Sequence, residues 1–403
     1  MKILFISQRV PFPPNKGEKI RTYSQIRHLV QLGHQVSVSS PIHSVEDLAS
    51  ADTLEQDLDI TISHSRLGLK WLRLLLGLLM SEPLSVSNFY SRMLQKIIDQ
   101  NLADKNIDVI ICTSSSMAKY ISNSGITFSG KTTLLMDFMD LDSDKWLQYS
   151  RSSTWPMKWI YAREARLLAQ YEKKIQQTFD HCFFISQNEV DLFHERNGNT
   201  NNVHVLGNGI DTENFTPPVV RSNNPAPVFI FTGVMDYKPN IDAILWFTKE
   251  AWPLITSEYP GSRFIIAGMN PTPAIENLSN LTGVEVTGFI DDILPYYHQS
   301  DYFVAPLTIA RGVQNKVLQA FSCGLPVIGS AMGAEGINCV DGEHIIIASS
   351  GLDYLNAVKR LESDSAFKAA MIDNAITLVK DQYSWEGQLK VLDDILKSET
   401  GNG

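Results

Sequence analysis

The sequence has little cysteine, no long apolar run and no basic excess, and each shortage excludes a class of protein. Its four cysteines, Cys112, Cys182, Cys323 and Cys339, are far apart and lie in or beside apolar runs. They have neither metal-ligand spacing nor the rhythm of a disulfide framework, so a reducing cytoplasm is expected. No stretch of about 18 or more uninterrupted apolar residues occurs, and no transmembrane helix is expected. The run from Ile3 to Ile6 is too short for a signal peptide, and Gln8, Arg9 and Pro11 interrupt it. Acidic residues outnumber basic ones, 44 to 34, giving a net charge of −10. That balance excludes a general nucleic-acid binder. There is no G-x-G-x-x-G, so a dinucleotide cofactor is not expected, and no short repeat of fixed period is present.

What is there is a chain of 403 residues, 44 % apolar, long enough for two domains with large buried sheets. Lys2–Ser7 reads as the first, buried strand of a parallel sheet. Pro11, Pro13 and Pro14 keep the next segment out of helix. Lys16 and Gly17 then precede a helix from Glu18 to Leu32 that stops at Gly33, and His34–Ser40 is a second strand. Gly17 serves either the turn or the close approach of a ligand.

The densest pattern runs from Val304 to Gly336. It reads as a strand end, a loop from Thr308 to Gln314, a helix from Asn315 to Ser322, and the strand Pro326–Gly329. Val317, Leu318 and Phe321 have the spacing of one buried helical face. Gly324 stands where a left-handed cap belongs, and Pro326 prevents continuation. Gly312 lets backbone approach a ligand at the start of the helix, where N–H groups lack partners. Arg311 and Lys316 bracket that point with positive charge, and a phosphate is the expected guest. The alternative is an Arg and a Lys at the surface of an ordinary strand–helix turn.

Two other stretches carry candidate chemistry. Asp137, Asp140, Asp142 and Asp144 follow the strand Thr132–Met136, where open α/β sheets place ligands. Lys145 at the sixth position of the Asp140 run, where an EF-hand needs glycine, argues against a calcium loop, and no metal site is expected. Capping of the next helix by Asp142 or Ser143 is the structural alternative. From Leu67 to Met80 the chain is Leu, Trp and Met around Arg66, Lys70, Arg73, Gly68 and Gly77. Arg66, Lys70, Arg73 and Gly77 fall on one helical face. A wide apolar face with a basic edge is the profile of an interfacial helix; a core helix with its basic stripe in solvent is the alternative.

The Val304–Gly336 stretch resembles the donor-site segment of retaining glycosyltransferases of family four, which often read E-G-F-G-x-x-x-x-E-A-x-A-x-G-x-P-V-I. The chain keeps Gly312, Ala320, Cys323, Gly324, Pro326, Val327 and Ile328. Arg311 stands at the first Glu and Gln319 at the second. The Arg311-Gly-Val313-Gln314-Asn-Lys316 run is similar to a subgroup of sugar transferases associated with bacterial exopolysaccharide clusters. Asn208-Gly-Ile-Asp211 with Phe215 resembles the junction between the two domains of the same family.

The resemblance implies a GT-B fold: α/β, two Rossmann-like parallel-sheet domains facing across a cleft. It implies an acceptor-side domain over 1–206, a nucleotide-sugar-binding domain over 207–384, and a last helix, 385–403, that crosses back. The donor would be a nucleotide diphosphate sugar and the acceptor a saccharide or lipid-linked saccharide at the inner membrane face, with no cofactor. Arg311, Lys316 and Lys238 would stabilise the leaving diphosphate. Gly17, Gly233, Gly288, Gly312, Val313, Gln314 and Gln319 would line the donor site, and Asp140 would meet the acceptor. Val234 stands where relatives carry an Arg, and Met139 where many carry a His. A nucleotide-sugar epimerase of similar fold and a non-catalytic nucleotide-sugar-binding module are the rival readings.

Overall fold

The computed structural model describes residues 1–104, 106–126, 132–220, 224–309 and 313–401. The chain divides into two units, Met1–Asn208 with Leu389–Gly403, and Gly209–Gln388.

The first unit is built on seven strands: β1 (Lys2–Ser7), β2 (Gln35–Ile42), β3 (Thr61–Arg66), β4 (Val109–Thr113), β5 (Thr133–Met139), β6 (His181–Phe184) and β7 (Val203–Val205). They lie in the order β3-β2-β1-β4-β5-β6-β7, and every neighbouring pair is parallel. The register sets Phe5 beside Ile111 and Ile6 beside Cys112. Ile3–Ile6 and Val109–Cys112 are buried without a break, because helices cover both faces of such a sheet. The order reverses between β1 and β4. In open α/β sheets the loops beyond that reversal form the ligand crevice.

The second unit has six strands: β8 (Val228–Thr232), β9 (Arg263–Ala267), β10 (Val284–Gly288), β11 (Tyr302–Ala305), β12 (Val327–Gly329) and β13 (Ile346–Ile347). Their order is β10-β9-β8-β11-β12-β13, again parallel. Phe229 and Phe231 join one core and Val228 and Ile230 another, one on each face of the sheet. The reversal here falls between β8 and β11.

The pattern at the centre of the sequence reading forms as its spacing requires. The helix runs from Asn315 to Ser322 with Val317, Leu318, Ala320 and Phe321 buried. Gly324 has φ 66°, and the N–H groups of Gly324 and Leu325 return to the carbonyls of Phe321 and Ala320. That closes the last turn with a left-handed residue only glycine adopts readily.

The Lys70–Leu79 helix differs from the core-helix reading of its sequence. Of its basic and glycine stripe, Arg66 and Lys70 are exposed, Arg73 is half-buried and Gly77 is buried; a Cβ at Gly77 would lie 2.5 Å from the Ser87 Oγ. Trp71, Leu75 and Leu79 are exposed. The core-helix alternative, with the stripe in solvent, is therefore overturned. The expected basic edge is corrected in part, because Nε and Nη1 of Arg73 are buried without a hydrogen-bond partner among the described residues.

Candidate functional site

In the second unit the site begins where β8 ends. Beyond Thr232, Gly233 has φ 157° and Gly268, beyond β9, has φ 149°. The two loops are in main-chain contact. The Gly233 N–H donates to the Ala267 carbonyl at 3.1 Å, and the Met235 N–H to the Met269 carbonyl at 2.8 Å. A Cβ at residue 268 would collide with the Gly233 carbonyl oxygen, so this approach requires glycine.

Lys316, in the first turn of the Asn315–Ser322 helix, reaches into this corner. Its Nζ donates to the Asn240 Oδ1 at 2.6 Å and lies 4.3 Å from the centre of the Phe231 ring. It comes within 3.0 Å of where a Cβ on Gly233 would sit. Asn240 is itself held, its Nδ2 donating to the Val234 carbonyl at 2.9 Å. Among the described residues no carboxylate forms an ion pair with Lys316. Burial alone pulls its pKa down to about 7. An amine desolvated beside a helix N-terminus regains full charge when an anion arrives, so the corner is suited to phosphate.

Gln319 belongs to the same corner. The Tyr297 hydroxyl donates to its Oε1 at 3.3 Å and is 2.9 Å from the Thr232 Oγ1. Tyr297 is fully buried and packs against Phe303. The structure thus brings Gly233, Lys316 and Gln319 together. Lys238 is held elsewhere: it opens the Lys238–Glu250 helix, is exposed, and pairs with Asp242 at 2.8 Å. Gly288 ends β10 with φ 68° and open space above it. Val313 is exposed and Gln314 half-buried. Arg311 and Gly312 lie outside the described residues.

The first unit holds a second concentration of polar groups, at its own strand-order reversal. Gln8, Lys19, Thr22, Ser114 and Met139 line a small cavity there. Ser114 and Met139 have φ 75° and 67°. Such backbone costs about 1–3 kcal/mol per residue and persists only where neighbours enforce it. Asp137 supplies part of that enforcement. Its carbonyl accepts from the Ser114 N–H at 2.8 Å, and its Oδ1 from the Met139 N–H at 3.2 Å. Gln8 fixes the other side, donating to the hydroxyls of Ser114 and Ser116.

Asp137 is in turn clamped by Arg21, with Nε at 2.7 Å and Nη2 at 2.8 Å on its two oxygens, and by Gln25 at 2.6 Å. The Arg21 Nη1 also donates to the Asn208 Oδ1 at 3.0 Å. Both members of the pair are about 1 % exposed. Sequence reasoning missed this network. A signal was available: Arg21, Gln25 and Leu29 recur every four residues, so an arginine shares the buried face of its helix.

Three expectations for this region are corrected or narrowed. Neither Asp142 nor Ser143 caps the Asp142–Ser152 helix through its side chain. Distant carboxylates do so: Glu189 accepts from the Leu141 N–H at 2.7 Å and Glu172 from the Ser143 N–H at 3.1 Å. Burial pushes the Glu172 carboxyl up to about 8 and the Asp142 carboxyl up to about 6. Gly17 is not required by its turn, since its φ is not positive and a Cβ there would meet nothing within 4 Å. Asp140 is half exposed, its carboxylate 3.7 Å from the Lys145 Nζ.

Comparison with known proteins fits this geometry. Residues 226–364 match the family profile described as "Glycosyl transferases group 1". The chain is 23 % identical to an uncharacterized 44.6 kDa protein in the cps region of Klebsiella pneumoniae, over 98 % of this chain and 99 % of that one. It is 22 % identical, over 56 % of this chain and 64 % of the other, to the GDP-mannose-dependent monoacylated alpha-(1-6)-phosphatidylinositol monomannoside mannosyltransferase of Corynebacterium glutamicum. Among solved structures, Anabaena HepE in complex with UDP superposes with a TM-score of 0.61 at 14 % identity, covering 99 % of this chain and all of HepE. The stretch of the second unit that matches the group 1 glycosyl transferase profile thus holds Lys316 and Gln319, on a chain of GT-B fold.

Proposed function

We propose that the protein is a retaining glycosyltransferase of family four that takes a sugar from a nucleotide diphosphate sugar. Its acceptor is a saccharide or lipid-linked saccharide of exopolysaccharide synthesis, met at the cytoplasmic face of the membrane. The observation that carries the donor reading is Lys316, desolvated and without a carboxylate partner among the described residues, beside Gly233 and a helix N-terminus. Negative charge grows on the diphosphate as the glycosidic bond breaks. A fixed cation in a dry corner stabilises that charge more in the transition state than in the ground state. Arg311 adds a second cation in this reading, and Gln319 receives the ribose hydroxyls through its neutral carbonyl oxygen. The relative in the cps region of Klebsiella pneumoniae supports the choice of acceptor class.

Calorimetric titration with UDP-, GDP- and ADP-sugars tests the donor reading. UDP- and GDP-sugars come first, because HepE was solved with UDP and the Corynebacterium relative is GDP-mannose-dependent. Lys316→Ala should weaken the best ligand roughly tenfold or more, since a charge-assisted bond to phosphate contributes about 1.5–3 kcal/mol. Unchanged affinity in that variant would remove Lys316 from the site. Interconversion of two free nucleotide sugars, without transfer, would overturn transferase in favour of epimerase.

A further inference from the structure

The apolar face of the Lys70–Leu79 helix is not the only one left uncovered in the first unit. The helices Asp142–Ser152 and Met157–Thr178 pack together as a hairpin, with Trp146, Tyr149 and Tyr161 clustered between them. At its tip Trp155 is 83 % exposed, and Trp159 and Met157 are exposed beside it. A soluble surface seldom shows two tryptophans and a leucine-rich helix face so openly.

The two patches adjoin. Ser81 to Pro83 follow the Lys70–Leu79 helix directly. The Glu82 carbonyl accepts from the Arg163 Nη1 at 3.2 Å. The buried Glu164 carboxylate takes the N–H groups of Leu84 and Ser85 at 2.7 and 2.8 Å. Arg163 stands one helical turn from Trp159, on the same side of its helix. The end of the leucine-rich helix is therefore tied to the tryptophan-bearing hairpin by three bonds.

Charge runs against the chain's average at this place. The protein carries a net −10, yet residues 66–80 contain no acid, and Arg66 and Lys70 among them are exposed. Residues 151–163, around the hairpin tip, contain Arg151, Lys158 and Arg163, again with no acid. The nearest carboxylates are engaged: Glu164 in the bonds above, Glu82 by Lys119. Tryptophan and leucine flanked by lysine and arginine match the interface of an anionic bilayer, where rings sit at headgroup depth and cations meet lipid phosphate.

We infer that the outer face of the Lys70–Leu79 helix and the Trp155–Trp159 hairpin tip form one surface that docks on an anionic lipid bilayer. It deepens the acceptor part of the proposed function, since docking would carry the protein to a lipid-linked acceptor. Binding itself needs neither nucleotide nor catalysis.

Flotation of the full chain with vesicles tests it, in phosphatidylcholine alone and in phosphatidylcholine mixed with phosphatidylglycerol. The wild type should float with the mixed vesicles, and added salt should weaken the binding. The pairs Trp71→Glu with Leu75→Glu, and Trp155→Ser with Trp159→Ser, should each lower binding roughly tenfold or more. All these side chains are exposed, so circular dichroism and Tm should stay at wild-type values. Folded variants that float like the wild type overturn the proposal, as does a wild type that floats with neither vesicle. If only the helix pair matters, the composite surface is overturned. If the wild type is a dimer that the Trp71 variant dissociates, a second copy covers the face instead. Calorimetry with nucleotide sugars on the same variants separates the two readings: lost flotation with intact nucleotide binding supports docking, whereas failed nucleotide binding in the wild type strikes the donor reading alone.

Discussion

Two short helices of this protein have sharply divided faces and use them in opposite ways. In Asn315–Ser322 the apolar side is packed against the β11 and β12 region, and the first turn offers Lys316 to the site. In Lys70–Leu79 the apolar side faces outward, while Gly77 and part of Arg73 are pressed inward. Amphipathicity alone therefore does not say which side meets the core. The decision lies in what can approach. A glycine allows the close seat against Ser87, and a row of leucines and Trp71 does not.

Breaking the two faces should give the largest contrast. Phe321→Ala removes a fully buried ring and should destabilise the protein by about 3–5 kcal/mol. Leu75→Ala, on the exposed face, should stay within about 0.5 kcal/mol. Urea unfolding of the two variants measures the difference, and a comparable loss at Leu75 would mean that its face is covered.

The seat at Gly77 should respond next. Gly77→Val forces a side chain against Ser87 and should cost about 1–3 kcal/mol. Gly68→Val, with nothing within 4 Å of its Cβ position, serves as the control. Thermal unfolding should separate them.

The smallest effect is a pH dependence that belongs to the other helix. The Lys316 pKa lies near 7 in the free protein, and a bound diphosphate raises it, so binding takes up a proton. Nucleotide-sugar affinity should fall as pH rises above about 7, by at most about tenfold per pH unit. Lys316→Ala should flatten that slope. Without ligand the sign is opposite. The folded pKa lies below the ordinary 10.5, so the unfolded chain binds the proton more readily between about 7 and 10.5. The contribution of Lys316 to stability is then greatest at high pH and declines as pH falls through that window.

Much of the fold was legible because its signals are local. The Asn315–Ser322 helix follows from the spacing of Val317, Leu318 and Phe321, the stop at Gly324, and Pro326. Buried parallel strands such as Ile3–Ile6 announce themselves as unbroken apolar runs. What was not legible depends on partners distant in sequence. Arg21 and Asp137 are 116 residues apart, and Lys316 and Asn240 are 76 apart. No spacing rule connects them; the sheet order does, by setting loops from separated strands side by side. The Lys70–Leu79 pattern was readable as an amphipathic helix. Its orientation was not, because that depended on the fit of Gly77 over Ser87.

The meeting of the Gly233 and Gly268 loops has a consequence for altering this protein. The two segments are aligned by main-chain atoms, through the Gly233 and Met235 N–H groups, with the Asn270 Nδ2 donating to the Asp236 Oδ2 at 3.2 Å beside them. Val234 and Met269, the next residues along, are 41 % and 42 % exposed. Exchanging those side chains should leave the main-chain contact between Gly233 and Gly268 in place. The corner is a fixed base with a replaceable rim, and variation in ligand preference can be sought at 234 and 269 while the glycines beneath them stay untouched.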